Sequence, residues 1–256
     1  MRLTPLIRNK ARELGHDPVK IHHFVRNRIE FSPTYGSLQD AETTLLNGRG
    51  NAADISTLLI ALLRASGISC RYVEGSIEVS AESFRNWTGG LESTEGALDL
   101  AASGGIPVTG LASGGRIGRV RMEHLWVEAW IDYAPSRGSE HREGDTWIPL
   151  DAAYKEMNLT SAADLTRDLP PDLGPLMDRF LGEALHNEEE GWAAGLKTGE
   201  IGPALGLYRE RIRKHFAGRG PDALLKEVLG KRRIVERNDP CLLGTPPYKV
   251  AAVGAR

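Results

Sequence analysis

Two residues in this chain, His124 and Asp151, have the types for moving and orienting protons, and a third position, Ala52, stands at a helix start where a thiol would be activated but carries none. Catalysis by a thiol needs a cysteine held partly as thiolate, a histidine to move protons and a third group to orient the histidine. A cysteine is best activated at a helix N-terminus, where unsatisfied N–H groups lower its pKa and can also hold the oxyanion of an acyl intermediate. The stretch GNAAD, residues 50–54, leads into an apolar helix and has that setting, but position 52 is alanine. His124 in EHLWVEAWIDY and Asp151 in TWIPLD could supply the other two members. The chemistry indicated is acyl transfer, with the nucleophile missing. Each residue also has a plainer reading, since a strand histidine beside tryptophans can be a packing residue and an aspartate after a strand commonly starts a turn.

Other nucleophiles are poorer candidates. Ser56, one helical turn past Ala52, lacks the strained elbow of a serine hydrolase and is expected to be a helix-surface serine. Cys70 is expected to be a packed strand cysteine, and Cys241 lies far along the chain. Two cysteines make neither a disulfide scaffold nor a metal pattern. Adjacent His22 and His23 would point about 100° apart on a helix and cannot chelate one ion together. No cofactor and no metal are expected.

The elements that must carry the three positions are readable from periodicity. Residues 4–15 and 18–29 read as short helices. Residues 53–66 form the clearest helix, with Ile55, Leu58, Leu59, Leu62 and Leu63 on one face, Asn51 as N-cap, Asp54 reaching back to it and Gly67 closing it. CRYVEGSIEVS reads as a strand with Val73, Ile77 and Val79 opposite Glu74 and Glu78. Residues 81–121 carry three glycine pairs without the context of a phosphate loop. They read as an excursion of turns with one helix near 95–103, of the kind that often serves as a lid or specificity loop. In residues 121–133, Leu125, Val127, Ala129 and Ile131 alternate with His124, Trp126, Glu128 and Trp130. This strand is expected to pair with DTWIPLD as an antiparallel hairpin across the linker APSRGSEHREG.

After residue 160 the texture changes to acidic, proline-interrupted helical stretches, then YRERIRKHF and DALLKEVLGKRRIVERN, and a proline-bearing tail. The expected division is a core of residues 1–159 and a mainly helical extension of residues 160–256. With 41% apolar and 26% charged residues among 256, the chain should bury a real core. A net charge of −2 does not mark a nucleic-acid binder. The basic run from Lys226 to Arg237 reads as a solvated helix face, without an aromatic stacking platform. No stretch approaches the 18 apolar residues of a membrane span, and the opening MRLTPLIRNKARELG lacks the apolar core of a signal peptide. A cytoplasmic protein, or a domain cut from a larger one, is expected.

Taken together, RNRIEFSP, GNAADISTLLIALLRASGISCRYVEG, EHLWVEAWIDY and TWIPLDAAYK resemble the transglutaminase-like domain family on the papain-like cysteine-protease fold. The resemblance runs from the N-terminus to about residue 156. Gly50, Asp54, His124, Trp126, Glu128, Trp147, Pro149 and Asp151 match its three motif blocks in order. It implies an α+β core with a helix packed on an antiparallel sheet, a Cys-His-Asp triad, and a peptide or protein substrate or partner. His124 and Asp151 would then be catalytic, and Trp126 and Trp130 are expected to contact the ligand. The departure is Ala52, which stands where the family has its cysteine and cannot form the acyl-enzyme. Ala52 fits a substitution introduced to disable an enzyme. It also fits a natural pseudoenzyme that keeps the cleft, as GRGN and LLIALLRASGISCRYVEG are similar to bacterial relatives without an obvious cysteine. The two functions implied are a disabled acyl-transfer domain and a non-catalytic module that binds a peptide or partner.

Overall fold

An oxygen-bearing cap followed by proline starts both N-terminal helices, because proline lacks the N–H that a first turn cannot use anyway. Thr4 caps α1 (Pro5–Glu13) and Asp17 caps α2 (Pro18–Arg28). After β1 (Glu30–Phe31), Asp40 caps α3 (Ala41–Asn47), which Gly48 closes in the left-handed conformation. β2 (Arg49–Gly50) pairs in parallel with β1 and delivers the chain to α4 (Ala52–Ala65). The computed structural model describes residues 2–133, 144–160, 165–171, 174–181, 184–187, 189–217 and 231–256.

α4 is the helix that the periodicity predicts, but it is buried on more than one face. Ile55, Leu58, Leu59, Ile60, Ala61, Leu62 and Leu63 are all fully buried. A helix covered all round belongs to the core rather than to its edge. Each fully buried Leu or Ile side chain contributes about 1.5–3 kcal/mol, so α4 is the main hydrophobic anchor of the fold.

β3 (Cys70–Ser80) leads into α5 (Ala81–Thr88), α6 (Thr94–Ser103), β4 (Val108–Ser113), β5 (Arg116–Ile131), β6 (Thr146–Leu150) and β7 (Met157–Thr160). The glycine-rich excursion is therefore more ordered than expected. Ser80 caps α5 and places Phe84 and Trp87 in the core at an i, i+3 spacing. β5 also starts earlier than the alternation suggested, at Arg116. Its pairing with β6 is antiparallel, from Val127↔Leu150 to Ile131↔Thr146; the linker residues 134–143 lie outside the described residues.

β5 organises the sheet. One edge pairs with β3 along its length. The other edge is shared: β4 covers Arg116–Met122 and β6 covers Val127–Ile131. Residues 123–126 fall between the two partners, and His124 sits in that gap. The fold is α+β, with a helix packed on an antiparallel sheet, as the sequence implied.

The chain divides into two units: residues 1–158 with 233–256, and residues 159–232. The second unit contains α7 (Leu165–Asp168), α8 (Gly174–Leu181), the hairpin β8 (Leu185–Asn187) and β9 (Trp192–Ala194), a 3-10 turn at Thr198–Glu200 and α9 (Ile201–His215). Most of the helix expected over DALLKEVLGKRRIVERN lies outside the described residues. Its basic end, however, is a strand, β10 (Lys231–Ile234). β-branched Ile234 at its end favours that state.

The expected single extension, residues 160–256, must be corrected at its end, because residues 233–256 belong to the first unit. They form an arm that ends in β11 (Lys249–Ala255), antiparallel to β3. Asn27 holds the arm by donating to the Arg237 carbonyl at 2.8 Å and accepting from its amide at 3.1 Å. A Cβ on Gly75 would sit 2.2 Å from the Ala252 carbonyl oxygen, so only glycine lets β11 close on β3. The physical reason for the arm is the edge of β3, whose backbone groups need a partner.

Lys155, 1% exposed, forms no ion pair among the described residues. It donates instead to the carbonyls of Arg26 at 2.7 Å, Ala152 at 2.6 Å and Val25 at 3.4 Å, at the negative end of α2. Burial, reinforced by the charge of Arg26, pushes its pKa down to about 7, from 10.5 in an exposed lysine. Between those values the unfolded chain holds a proton that the folded chain has released, so this group adds stability as pH rises. The melting temperature is expected to climb between pH 7 and 9.5, and Lys155→Met should lose that part of the climb. Identical pH slopes for the two proteins would contradict this assignment.

Candidate active site

The head of α4 is fixed by a reciprocal capping box. Asn51 Oδ1 accepts from the Asp54 amide at 3.0 Å, and Asp54 Oδ2 accepts from the Asn51 amide at 3.3 Å. Asp54 Oδ1 also takes the amides of Leu38 and Gln39, both at 2.9 Å, while Asn51 Nδ2 donates to the Gly36 carbonyl at 2.6 Å. The two capping residues therefore hold the loop before α3 against the helix start. Gly50 is needed here, because a Cβ would lie 2.8 Å from that of Asp54. The cap uses the amide of Asp54, and the amides of Ala52 and Ala53 remain at the positive end of the helix.

A cavity of about 230 Å³ lies at this point, lined by Asn51, Ala52 and Ala53 and, from β5, by Glu123, His124 and Leu125. His124 is 3% exposed. Its Nε2 donates to Asp151 Oδ2 at 2.8 Å, in an Nε2–H tautomer or as the imidazolium. Its Nδ1 is buried without a hydrogen-bond partner. The Nδ1 atoms of His22 and His23 are likewise unpartnered, but of the three histidines only His124 lines this cavity, and Nδ1 is its nitrogen left for a reacting group.

Asp151 follows Leu150, whose partner on β5 is Val127, so the end of β6 brings it level with the gap that holds His124. Its Oδ1 accepts from the amides of Ala153 at 2.7 Å and Tyr154 at 3.1 Å, the turn expected of an aspartate after a strand. Both readings of Asp151 hold at once: it starts a turn and it orients the histidine. Burial opposes its ionisation, but the charge of His124 and hydrogen bonds from His124, Tyr248 and the Ala153 amide outweigh this. The carboxyl is held below its ordinary value.

The structure thus brings Ala52 and His124 to one cavity and pairs His124 with Asp151. It does not bring Trp126 and Trp130 there. Trp126 is 2% exposed and stacks beside His124, with ring centroids 6.3 Å apart. Trp130 packs on Trp147 at 5.4 Å, six residues farther along β5, or about 20 Å at strand rise. Alternation put both tryptophans on the face of His124; it could not tell that one supports the ring from behind and the other sits elsewhere.

Ser56 is 3% exposed rather than on the surface, and its hydroxyl donates to the Leu125 carbonyl in the gap of the sheet at 3.3 Å. Cys70 is buried, as expected, and burial raises its pKa. His22 packs behind the site: Nε2 contacts the Asp151 carbonyl at 3.3 Å, and burial pushes its pKa down to about 4.

Two participants were missed in the sequence. Trp87 meets His124 edge-on at 5.2 Å and donates to the Ala153 carbonyl at 2.9 Å. Tyr248 donates to Asp151 Oδ2 at 2.8 Å. Trp87 was legible only if α5 had been recognised from its Ser80 cap; nothing local marks Tyr248.

Glu74 and Glu123 also line the cavity. Among the described residues neither forms an ion pair. Glu78, on the same face of β3, is surrounded by Arg121 at 2.6 Å, Lys249 at 3.0 Å and Arg119 at 3.6 Å. Hydrogen bonds from Arg121 and Lys249 hold its pKa at about 2. Negative charge is therefore neutralised outside the cavity and left open inside it. Among the described residues, no group of three or more His, Cys, Asp or Glu side chains is placed to hold a metal ion, and no helix is long and apolar enough to cross a membrane.

The family model of the transglutaminase-like superfamily matches residues 3–152, a span that includes Ala52, His124 and Asp151. No curated protein and no solved structure shows a significant match.

Proposed function

Because the chain belongs to the transglutaminase-like superfamily, we propose that its cavity is an acyl-transfer site of the cysteine type, disabled by alanine at the position of the nucleophile. The observation that supports this reading is the buried His124–Asp151 pair at 2.8 Å, with Nδ1 unpartnered, beside the helix start that carries Ala52. A cysteine there would lie at the positive end of α4. Its thiolate would attack a carboxamide carbon, and the amides at the helix head would hold the oxyanion. His124 would pass the thiol proton to the departing amine, leaving a thioester that water or an amine opens. Asp151 would keep the imidazole in the required orientation. Ala52 supplies no such atom, so the chain as it stands forms no acyl-enzyme at this position.

A second reading is favoured by the same alanine together with the open carboxylates. Without the nucleophile, the cavity binds an extended peptide or partner segment non-covalently. Glu74 and Glu123 then favour a segment carrying a basic side chain or amine over an acidic one.

Ala52→Cys separates the two readings. The variant should release ammonia from glutamine peptides, at a rate at least 100-fold above the unsubstituted chain, and accumulate a thioester visible by intact mass. A folded variant that forms neither product removes the acyl-transfer reading and leaves the binding one.

A further inference from the structure

We propose that Tyr248 is a positioning residue for the His124–Asp151 pair, brought to it by the C-terminal arm of residues 233–256. The inference rests on the reading of that pair as acyl-transfer machinery.

The geometry fixes Asp151 completely. Oδ1 accepts from the Ala153 and Tyr154 amides, and Oδ2 accepts from both His124 Nε2 and the Tyr248 hydroxyl, each at 2.8 Å. With two donors on each oxygen, the carboxylate cannot rotate away from the imidazole. The Tyr248 ring also meets the rings of His124 edge-on at 5.8 Å, Trp126 at 6.5 Å and Tyr154 at 5.6 Å. It thus restrains both members of the pair. Burial, then the charge of Asp151 and the hydrogen bond to it, raise the Tyr248 pKa well above 10, so the phenol is a permanent donor.

The arm is built to deliver this residue. Pro246 and Pro247 come immediately before it and restrict the backbone on approach. Lys249 comes immediately after it and pairs with buried Glu78, the first register position of β11 on β3. Gly75, which lets β11 close, is itself the register partner of His124 on β5. The other groups facing Asp151 are His22 of α2, at the Asp151 carbonyl, and the more distant charges of Arg26 and Lys155. None of these donates to the side-chain oxygens.

Tyr248→Phe keeps the ring and removes only the donor. In the chain as it stands, the Asp151 carboxyl titration, followed by carbon-13 NMR, is expected to move upward by about one unit. A role limited to packing would leave the midpoint in place, and an unmoved midpoint overturns the proposal. Where acid unfolding intervenes, the pH profile of iodoacetamide labelling gives the second test. Adding Tyr248→Phe to Ala52→Cys should raise the half-maximal point of that profile by about one unit in a protein that remains folded, and an unmoved profile overturns the proposal. If the carboxyl midpoint moves while Ala52→Cys shows no histidine-dependent reactivity, Tyr248 sets Asp151 and the acyl-transfer reading is what fails.

Discussion

Replacing Asp54 by alanine is expected to destabilise the fold by about 3–5 kcal/mol. The carboxylate is 1% exposed and accepts three backbone N–H groups: Leu38 and Gln39 through one oxygen, Asn51 through the other. A hydrogen bond to a charged group is worth about 1.5–3 kcal/mol, and a buried donor left unpaired costs about 1–3 kcal/mol. The Asn51 amide lies in the interior, whereas the Leu38 and Gln39 amides lie closer to solvent and recover part of their loss from water. Asp54→Asn retains one oxygen acceptor and should lose roughly half as much. Urea unfolding of the three proteins measures the differences. A loss below about 1 kcal/mol for the alanine variant would mean that the loop of residues 32–40 is held by something other than Asp54. The same substitution should open the cavity, because Thr34, Tyr35 and Gly36 line it from that loop.

That Asp54 would matter was visible in the sequence. Asn51 and Asp54 stand three residues apart before an apolar periodic run, and the structure finds both halves of the capping box. Local signals of this kind are short-range and survive without knowledge of the fold. His124 and Asp151 were singled out by the resemblance to the family's motif blocks rather than by a local signal; the antiparallel pairing of β5 and β6 brings His124 near Asp151, which lies just past the end of β6. The reach of the Asp54 carboxylate to Leu38 and Gln39 was not legible, since it depends on a loop folding back over the helix start.

Alternation assigns a residue to a face but not to a depth or a neighbour, so Trp126 and Trp130 were placed in the cleft with His124. Trp126 instead supports the histidine ring, and Trp130 belongs to the distant end of β5 with Trp147. The arm was unreadable because β11 shows no alternation: six of its seven residues are exposed, with Val250 half-buried. Its place is decided by the edge of β3 and by Gly75, about 170 residues earlier. Tyr248 inherits that obscurity. α3 and α5 were missed because each is under nine residues long, too short for periodicity to separate from a turn. Their Asp40 and Ser80 caps were the usable signals.

The second large effect concerns the thiol that Ala52→Cys would introduce. A free cysteine titrates near pH 8.5, and one at a helix N-terminus beside a protonated histidine titrates at about 3.5–7.5. The amides of Ala52 and Ala53 supply the first influence and His124 the second. Absolute labelling rate is a poor readout, because a thiolate of lower pKa is also a weaker nucleophile. The dependence on pH is free of that ambiguity. With an activated thiolate, labelling stays level as pH falls through 8 and 7. With an ordinary thiol, it falls about tenfold for each unit below the pKa. Removing His124 takes away the imidazolium that stabilises the thiolate and should restore most of the ordinary behaviour. Cys241, exposed, serves as the internal reference in the same sample.

The decisive measurement is therefore the pH profile of iodoacetamide labelling at position 52, followed by peptide mass, in Ala52→Cys and in Ala52→Cys with His124→Ala. The account predicts a profile that stays level down to about pH 6 in the first protein. In the second, the half-maximal point should lie at least about two units higher. Two profiles that fall together below pH 8, in proteins that both remain folded, would contradict it.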